Sequence, residues 1–378
     1  MRSISCTGLG AFSSDQGLTN GGLPRSTGQG AGSDNQDPDI QGQHSKTMWP
    51  CAAQKEPRFV SVIIPTYSRS LSLKSTLESL LKLDYPSDRL EIIVVDNCST
   101  DGTKSVVEAC QAQSRFRVRY VYEGRQGAHL ARNTGAKLAA GDVLYFTDDD
   151  MIADPMLLKN LIPVFDMYPG VASATGRVLP RWEMPPPAWV LRRCSDGSLS
   201  LQNRPEDLVI SPDNVGIYSC HQAVLKDIFI LSGGFNPDIV KGETVGDNER
   251  GLNLKIKKLG CGFAYVREAV THHVIPPSRM TQAYLNKRMA HQGSSLSYTW
   301  YRRQRPSTLR LVMDIAEQFL GLAQAAFLCL IRLVLWRDSW HLYCARMHYC
   351  ASRTKSDWRL CRDDRWRRLV LRDNWLEE

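Results

Sequence analysis

The sequence predicts an α/β fold with a central, mostly parallel sheet flanked by helices. Three observations carry that expectation. Short apolar runs alternate with segments of helical periodicity from Phe59 onward, the pattern of a parallel sheet with helical crossovers. The runs are nearly unbroken in Val, Ile and Leu, as in strands covered on both faces. Three of them end in polar or acidic clusters, Pro65-Thr66-Tyr67, Asp96-Asn97 and Asp148-Asp149-Asp150. Ligands of parallel sheets bind beyond the carboxyl ends of the strands, so these clusters share one rim.

Taken in order, 59–64 is the first strand, and Pro65 ends it. Leu73, Leu77, Leu80 and Leu81 place a helix over 70–83. Residues 91–95 form the second strand, and Ser99 or Thr100 can cap the helix after it. A third strand over 118–122 leads into the turn Gly124-Arg125-Gln126-Gly127 and a helix carrying Ala131-Arg132-Asn133-Thr134-Gly135. Gly141 turns the chain into a fourth strand over 143–147, which ends in the three acids. Neither G-x-G-x-x-G after the first strand nor G-x-x-x-x-G-K-[ST] is present, which disfavours a dinucleotide fold and excludes a P-loop.

Three adjacent carboxylates repel and raise one another's pKa unless a cation sits among them. Mg²⁺ or Mn²⁺ held by oxygen ligands removes that repulsion and commonly holds substrate phosphates. A solvated acidic turn is the plainer reading of such a triplet taken alone.

The 378 residues allow one large domain or two ordinary ones, and 43% hydrophobic content supports a real core. Eleven scattered cysteines without a C-x-x-C pair read as reduced thiols in a cytosolic setting. No charged-then-apolar signal region opens the sequence. Residues 1–57 are rich in Gly, Ser, Gln, Asp and Asn and read as disordered.

These motifs, in this order, resemble family 2 glycosyltransferases with the GT-A (nucleotide-diphospho-sugar transferase) fold. The resemblance runs from about Val60 to Ser297. It rests on Val62-Ile63-Ile64-Pro65-Thr66-Tyr67-Ser68-Arg69, the segment Val95 to Thr103, Gly127-Ala128-His129-Leu130-Ala131-Arg132-Asn133, the acidic triplet, Gly233-Gly234-Phe235 and Asp247-Asn248-Glu249-Arg250-Gly251-Leu252. It implies a nucleotide-diphosphate sugar donor whose diphosphate is bridged by a divalent metal, Mg²⁺ or Mn²⁺. Pro65, Thr66 and Tyr67 would line the base pocket. Asp96 would accept a hydrogen bond from the pyrimidine ring. Arg69, Arg132 and Asp149 would lie on the donor side, Arg132 near the base and phosphates. Asp148 would contact the ribose, and Asp150 would bind the metal, with Asp148 and His273 as further ligands and His272 as the fallback. Arg279 would approach the diphosphate or form a surface ion pair. Trp182, Trp189, Gly234 and Phe235 would form the acceptor side.

Inverting transfer needs a carboxylate within reach of the acceptor hydroxyl. The family uses the second acid of a Gly-Glu-Asp motif. Counting back from Gly260 selects Glu249, with Asn248 where an acid is usual. A shifted register selects Asp247, and capping the following helix is the simpler use of either acid. Gly216-Ile217-Tyr218-Ser219-Cys220-His221 departs from the Gly-x-Asn pattern of relatives, which puts the acceptor contacts there in doubt.

Net charge is +8, with much of the excess after Arg302. A long helical pattern covers 309–336. Its second half, 319–336, is interrupted only by Gln324 and Arg332 among polar side chains, and arginines flank it on both sides. Spanning a membrane would carry one basic flank across, against the usual orientation rule. Lying in the interface satisfies both flanks, with Trp336, Trp340, Trp358 and Trp366 at headgroup level. Packing against the catalytic domain is the third reading.

The expected organisation is therefore a disordered 1–57, a catalytic domain over 58–300 (nucleotide half 58–150, acceptor half 151–300) and a basic helical tail over 301–378. The expected protein is an inverting, metal-dependent glycosyltransferase of surface polysaccharide or glycolipid synthesis, acting on a saccharide or lipid-linked acceptor. It would sit peripherally or monotopically at the inner, cytoplasmic face of the cell membrane, with no nucleic acid partner. The alternatives are a nucleotidyltransferase and a catalytically inactive nucleotide-sugar-binding protein.

Overall fold

A computed structural model describes residues 56–377 apart from 195, 237–238, 241–242 and 245. The reading of 1–57 as disordered lies outside the described residues except for Glu56 and Pro57.

The first half follows the strand-helix alternation. In chain order come β1 (Val60–Thr66), α1 (Ser70–Leu80), β2 (Leu90–Asp96), α2 (Thr103–Gln113), β3 (Arg117–Tyr122), α3 (Ala128–Leu138) and β4 (Val143–Thr147). These four strands lie in the order β3-β2-β1-β4, every neighbouring pair parallel. Their alternate residues feed two cores. Val60, Val62, Ile64 and Tyr145 pack on one face with Leu73 and Leu77 of α1. Ile63, Leu144 and Phe146 pack on the other with Ala131 and Ala136 of α3. Burial on both faces is why these runs are unbroken in the sequence.

The second half is not mostly parallel. It runs through β5 (Met151–Ala153), α4 (Leu157–Leu161), α5 (Val164–Met167), β6 (Val171–Trp182), α6 (Ala188–Arg193), β7 (Leu208–Ser211) and β8 (His221–Leu225). After these come α7 (Lys226–Leu231), β9 (Ile239–Val240), β10 (Glu243–Thr244), α8 (Asn248–Lys258) and β11 (Gly262–Ile275). The nine-stranded sheet continues β4-β8-β6-β11-β5, with β7 also on β11. Strand β8 is antiparallel to both β4 and β6, and β5 and β7 are antiparallel to β11. The sheet is therefore mixed. Strand β8 is hard to see in the sequence because it opens with His221 and Gln222, both wholly buried. Most of their polar groups are satisfied internally, Gln222 Oε1 excepted. The His221 ring meets the Tyr145 hydroxyl at 2.8 Å and the Ala269 carbonyl at 3.1 Å. Gln222 donates to Asn253 Oδ1 at 2.9 Å and Ser173 Oγ at 3.1 Å. Such pairing makes burial of a polar strand affordable.

Four helices complete the chain: α9 (Gln282–Gln304), α10 (Thr308–Val334), α11 (Trp340–Arg362) and α12 (Asp364–Val370). Helix α9 runs across position 300, where the sequence places a boundary. Helix α11 packs against both α9 and α10 around a buried Arg353, which reaches Asp314 and Asp357 at 3.1 Å each. The Ser297 hydroxyl donates to Asp357 from α9 at 2.5 Å. The opposite face of α10 is apolar and open, with Leu309, Val312, Met313, Phe319, Leu320, Phe327, Leu330 and Val334 exposed.

Candidate active site

The carboxyl ends of β1, β2 and β4 meet on one rim, as their parallel register requires. Thr66 pairs with Asp96 across β1 and β2, and the triplet follows β4. Pro65 lies within buried β1, while Tyr67, just past its end, is 52% exposed. Asp96 is buried and already holds two donors, the Tyr120 hydroxyl at 2.7 Å and the Ser99 N–H at 2.8 Å. Asn97 pins the 123–127 turn. Its amide donates to the Glu123 and Arg125 carbonyls, and its Oδ1 accepts the Gly127 N–H.

The three aspartates do not cluster around one point. Each is answered by arginine, which is how their repulsion is relieved here. Asp148 accepts from Arg132. Asp149 accepts from Arg69 Nη1 at 2.6 Å and the Thr66 hydroxyl at 2.7 Å. Asp150 Oδ2 accepts from Arg279 Nη2 at 2.7 Å and Arg69 Nη2 at 3.0 Å. Burial raises the Asp149 pKa to about 7 despite Arg69. Burial also works against an ionised Asp150, but His273, Arg279 and Arg69 outweigh it and hold that carboxyl below its ordinary range.

Strand alternation separates the two histidines. His273 is buried and faces Asp150, 3.7 Å from its Oδ2, whereas His272 points to the other face of β11. The His273 Nδ1–H donates to the Leu199 carbonyl at 2.8 Å, and Arg279 donates to Nε2. That tautomer gives Nε2 a lone pair, which accepts from Arg279 here and can turn to a metal once Arg279 moves away. Asp150 Oδ1 is buried and has no hydrogen-bond partner. Two donors are thus available, one carboxylate and one imidazole, with Asp148 diverted to Arg132. Among the described residues, no three His, Cys, Asp or Glu side chains could hold a metal by themselves. The set fits a cation that takes its remaining ligands from a diphosphate and water.

Helix α8 brings its first turn to the same place. Glu249 is half-buried, with the Ser219 hydroxyl donating to Oε2 at 3.4 Å. The buried Cys220 thiol is pushed well up by burial and then by the charges of Asp148, Asp150 and Glu249 around it. The geometric link between the two elements is the His129 ring, which meets Asn248 of α8 and Arg132, the partner of Asp148. Asp247 points elsewhere. It is buried, accepts from Asn236 Nδ2 at 2.6 Å and lies 3.6 Å from Arg302 Nε. Its carboxylate folds over Gly251, where any Cβ would overlap it.

On the acceptor side, Phe235 is wholly buried, not open to the cleft. It packs against Phe146, Phe229 and the His129 ring, and burying such a ring contributes about 1.5–3 kcal/mol. Gly234 is covered by Leu376. Trp182 and Trp189 are partly buried against a small core around Val190 and Ile275. Trp189 also stacks on His341 of α11, ring centres 4.0 Å apart.

Sequence reasoning passed over His129. Its Nδ1 accepts from Arg132 Nη1 at 3.1 Å and its Nε2 meets Asn248 Oδ1 at 3.0 Å. Burial, then Arg132, pulls its pKa down to about 3, so the ring is a neutral bridge between the donor side and α8. The i, i+3 spacing of His129 and Arg132 on one helix was the available signal.

The chain is similar to known glycosyltransferases. The poly(ribitol-phosphate) β-N-acetylglucosaminyltransferase TarS of Staphylococcus aureus is 34% identical over 108 residues, 29% of this chain but only 19% of TarS. The succinoglycan biosynthesis protein ExoM of Rhizobium meliloti is 26% identical over 242 residues, covering 64% of this chain and 74% of ExoM. A solved mannosyltransferase, PcManGT from Pyrobaculum calidifontis in complex with GDP-Man and Mn²⁺, aligns with a TM-score of 0.55 at 20% identity, over 83% of this chain and 91% of that one. It shares the GT-A fold. The family model for glycosyl transferase family 2 matches residues 61–230, from β1 to the last turn of α7.

Proposed function

We propose that this chain is an inverting, divalent-metal-dependent glycosyltransferase that moves a sugar from a nucleotide-diphosphate sugar to an acceptor hydroxyl. Surface polysaccharide or glycolipid synthesis is the proposed setting, with a saccharide or lipid-linked acceptor. The observation that carries this reading is that Asn248, next to Glu249 in the first turn of α8, is tied through His129 and Arg132 to Asp148 at the end of β4, where Arg69 and Arg279 also converge. A donor diphosphate needs those cations, and an attacking hydroxyl needs the Glu249 carboxylate. The mannosyltransferase neighbour, titled as a complex with GDP-Man and Mn²⁺, supports the choice of donor and metal.

In this reading Asp150 and His273 hold the cation, whose chemistry is to neutralise the departing diphosphate. Arg69 and Arg279, now turned onto Asp149 and Asp150, supply charge-assisted hydrogen bonds to phosphate oxygens. Tyr67 offers an exposed ring to the base, and Asp96 has further acceptor capacity beside it. Glu249 takes the acceptor hydroxyl's proton, and Ser219 steadies its carboxylate. Asp247 stays a structural partner of Asn236 and Arg302. The catalytic domain begins at about 58, and the helical tail grows out of α9, which crosses position 300 without a break.

A thermal-shift panel of nucleotide sugars with and without Mn²⁺ tests this. The cognate donor at 100 times its Kd should stabilise the protein by about 2.7 kcal/mol, more with metal than without. Turnover should release a nucleoside diphosphate. Release of pyrophosphate instead would mark a nucleotidyltransferase. No shift with any donor would overturn the reading.

The tail is proposed to lie on the inner membrane face. Helix α10 is, among the described residues, the one helix long and apolar enough to cross a bilayer, with 6% of its most apolar window buried. Its open stripe has Arg310 and Arg332 on the same helix. Beyond its end Trp336 is 95% exposed, next to Arg337. An apolar stripe with basic neighbours suits an interface of anionic lipid. Vesicles containing anionic lipid should co-sediment the protein at low salt, less so at 0.5 M, and Leu320→Asp with Phe327→Asp should abolish binding. Equal pelleting of that variant would sink the proposal.

A further inference from the structure

The last described residues return to the catalytic half. After α12 the chain crosses the Gly233-Gly234 turn, where the Trp375 N–H donates to the Gly233 carbonyl at 3.0 Å. Both glycines have left-handed φ, +75° and +70°. Space demands glycine as well. A Cβ on Gly233 would lie 2.7 Å from the Asp373 carbonyl oxygen and 2.8 Å from Asn374 Cα. One on Gly234 would lie 2.8 Å from Leu376 Cδ2. Gly233-Gly234 is thus shaped for this segment as much as for its own turn.

Two buried cations tie the segment to α8. Lys255, on α8, donates to the Gly234 carbonyl at 2.5 Å, the Asp373 carbonyl at 3.1 Å and Asn236 Oδ1 at 3.2 Å. Arg302, on α9, donates to the Val370 carbonyl at 2.7 Å, the Arg372 carbonyl at 2.6 Å and Asp373 Oδ1 at 2.5 Å. The same guanidinium reaches Asp247, the residue that begins α8. Buried charges hold their places only while their partners stay, so this segment grips α8 near both ends, with Glu249 between. It also bears on the donor side. Gly234 leads into Phe235, whose N–H and carbonyl are both clamped by the Asn133 side chain at 2.9 Å, and whose ring stacks on His129 at 5.0 Å.

We propose that residues 372–376 are a positioning strap that fixes Glu249 relative to the acids of β4. The proposal rests on Glu249 acting in glycosyl transfer. The strap touches no reacting atom; it acts through α8 and the Gly233-Gly234-Phe235 turn.

The test uses the full-length chain carrying Trp375→Ala and Leu376→Ala together. Hydrogen exchange should quicken at least tenfold at 233–236 and 247–252 and stay unchanged in β1 to β4. The kcat should fall about tenfold while the donor KM stays within twofold. Trp375→Phe with Leu376→Met should restore both readouts. Unchanged exchange at 233–236 and 247–252 would overturn the strap, and so would faster exchange with wild-type kcat. If the double variant does not fold, Leu376→Ala alone carries the same readouts, with a threefold fall in kcat expected and wild-type values overturning the idea. A wild-type chain without transferase turnover would instead overturn the proposed function, and exchange would still report whether the strap holds α8.

Discussion

Glu249→Gln is expected to lower kcat by roughly 10²–10⁴-fold, the usual share of a general base, with donor KM close to wild type. Gln keeps the size of the side chain and its contact with Ser219 but cannot take a proton from the acceptor. Melting temperature and donor-induced stabilisation should be unchanged, because Glu249 is half-buried and has no ion pair among the described residues. Asp247→Asn is the contrasting variant. It removes one of the two carboxylates beside Arg302 while Asp373 remains, and weakening such a buried charged hydrogen bond costs about 1–3 kcal/mol. Its expected signature is a lower urea midpoint, with a fall in kcat well short of that of Glu249→Gln, because Arg302 then holds the start of α8 less firmly. If Asp247→Asn abolished kcat in a fully folded protein while Glu249→Gln stayed active, the two assignments would be exchanged.

Asp150→Asn is expected to lower kcat/KM by on the order of 10²–10³-fold, comparable to removing one preorganised electrostatic group. Three neighbours converge on this carboxylate: Arg279, Arg69 and the His273 ring. Its Oδ1 is the buried oxygen left without a hydrogen-bond partner. Removing the charge should erase the difference that Mn²⁺ makes to donor-induced stabilisation, a reading independent of turnover. Arg69 retains Asp149 at 2.6 Å, so the fold should survive. A Mn²⁺-dependent shift in Asp150→Asn equal to wild type would remove Asp150 from the metal's ligands.

Much of the first half could be read residue by residue. Strands β1, β2 and β4 are unbroken apolar runs because helices cover both faces, and a pattern set by local burial is visible in one dimension. Placing Pro65-Thr66-Tyr67, Asp96 and the triplet on one rim needed only the rule that parallel strands point the same way. The choice of His273 over His272 likewise follows strand alternation once β11 is known to run to Ile275.

Other features arise from partners far apart in the chain. The aspartates part from one another because Arg69, Arg132 and Arg279 reach them from α1's approach, α3 and the end of β11. No spacing within the triplet encodes that. Asp247 and Glu249 are two residues apart, and what separates their roles is Arg302, more than fifty residues later. Phe235 is a core ring because Phe146 and Phe229 meet it from separate elements. Strand β8 passes for a loop because the groups that pair with His221 and Gln222 come from β4, β6, α8 and the irregular stretch of β11 at Ala269. Periodicity records whether a position is covered; it does not record by what. The covering partners here are set by packing across the sheet and by the return of the last helix onto the Gly233-Gly234 turn.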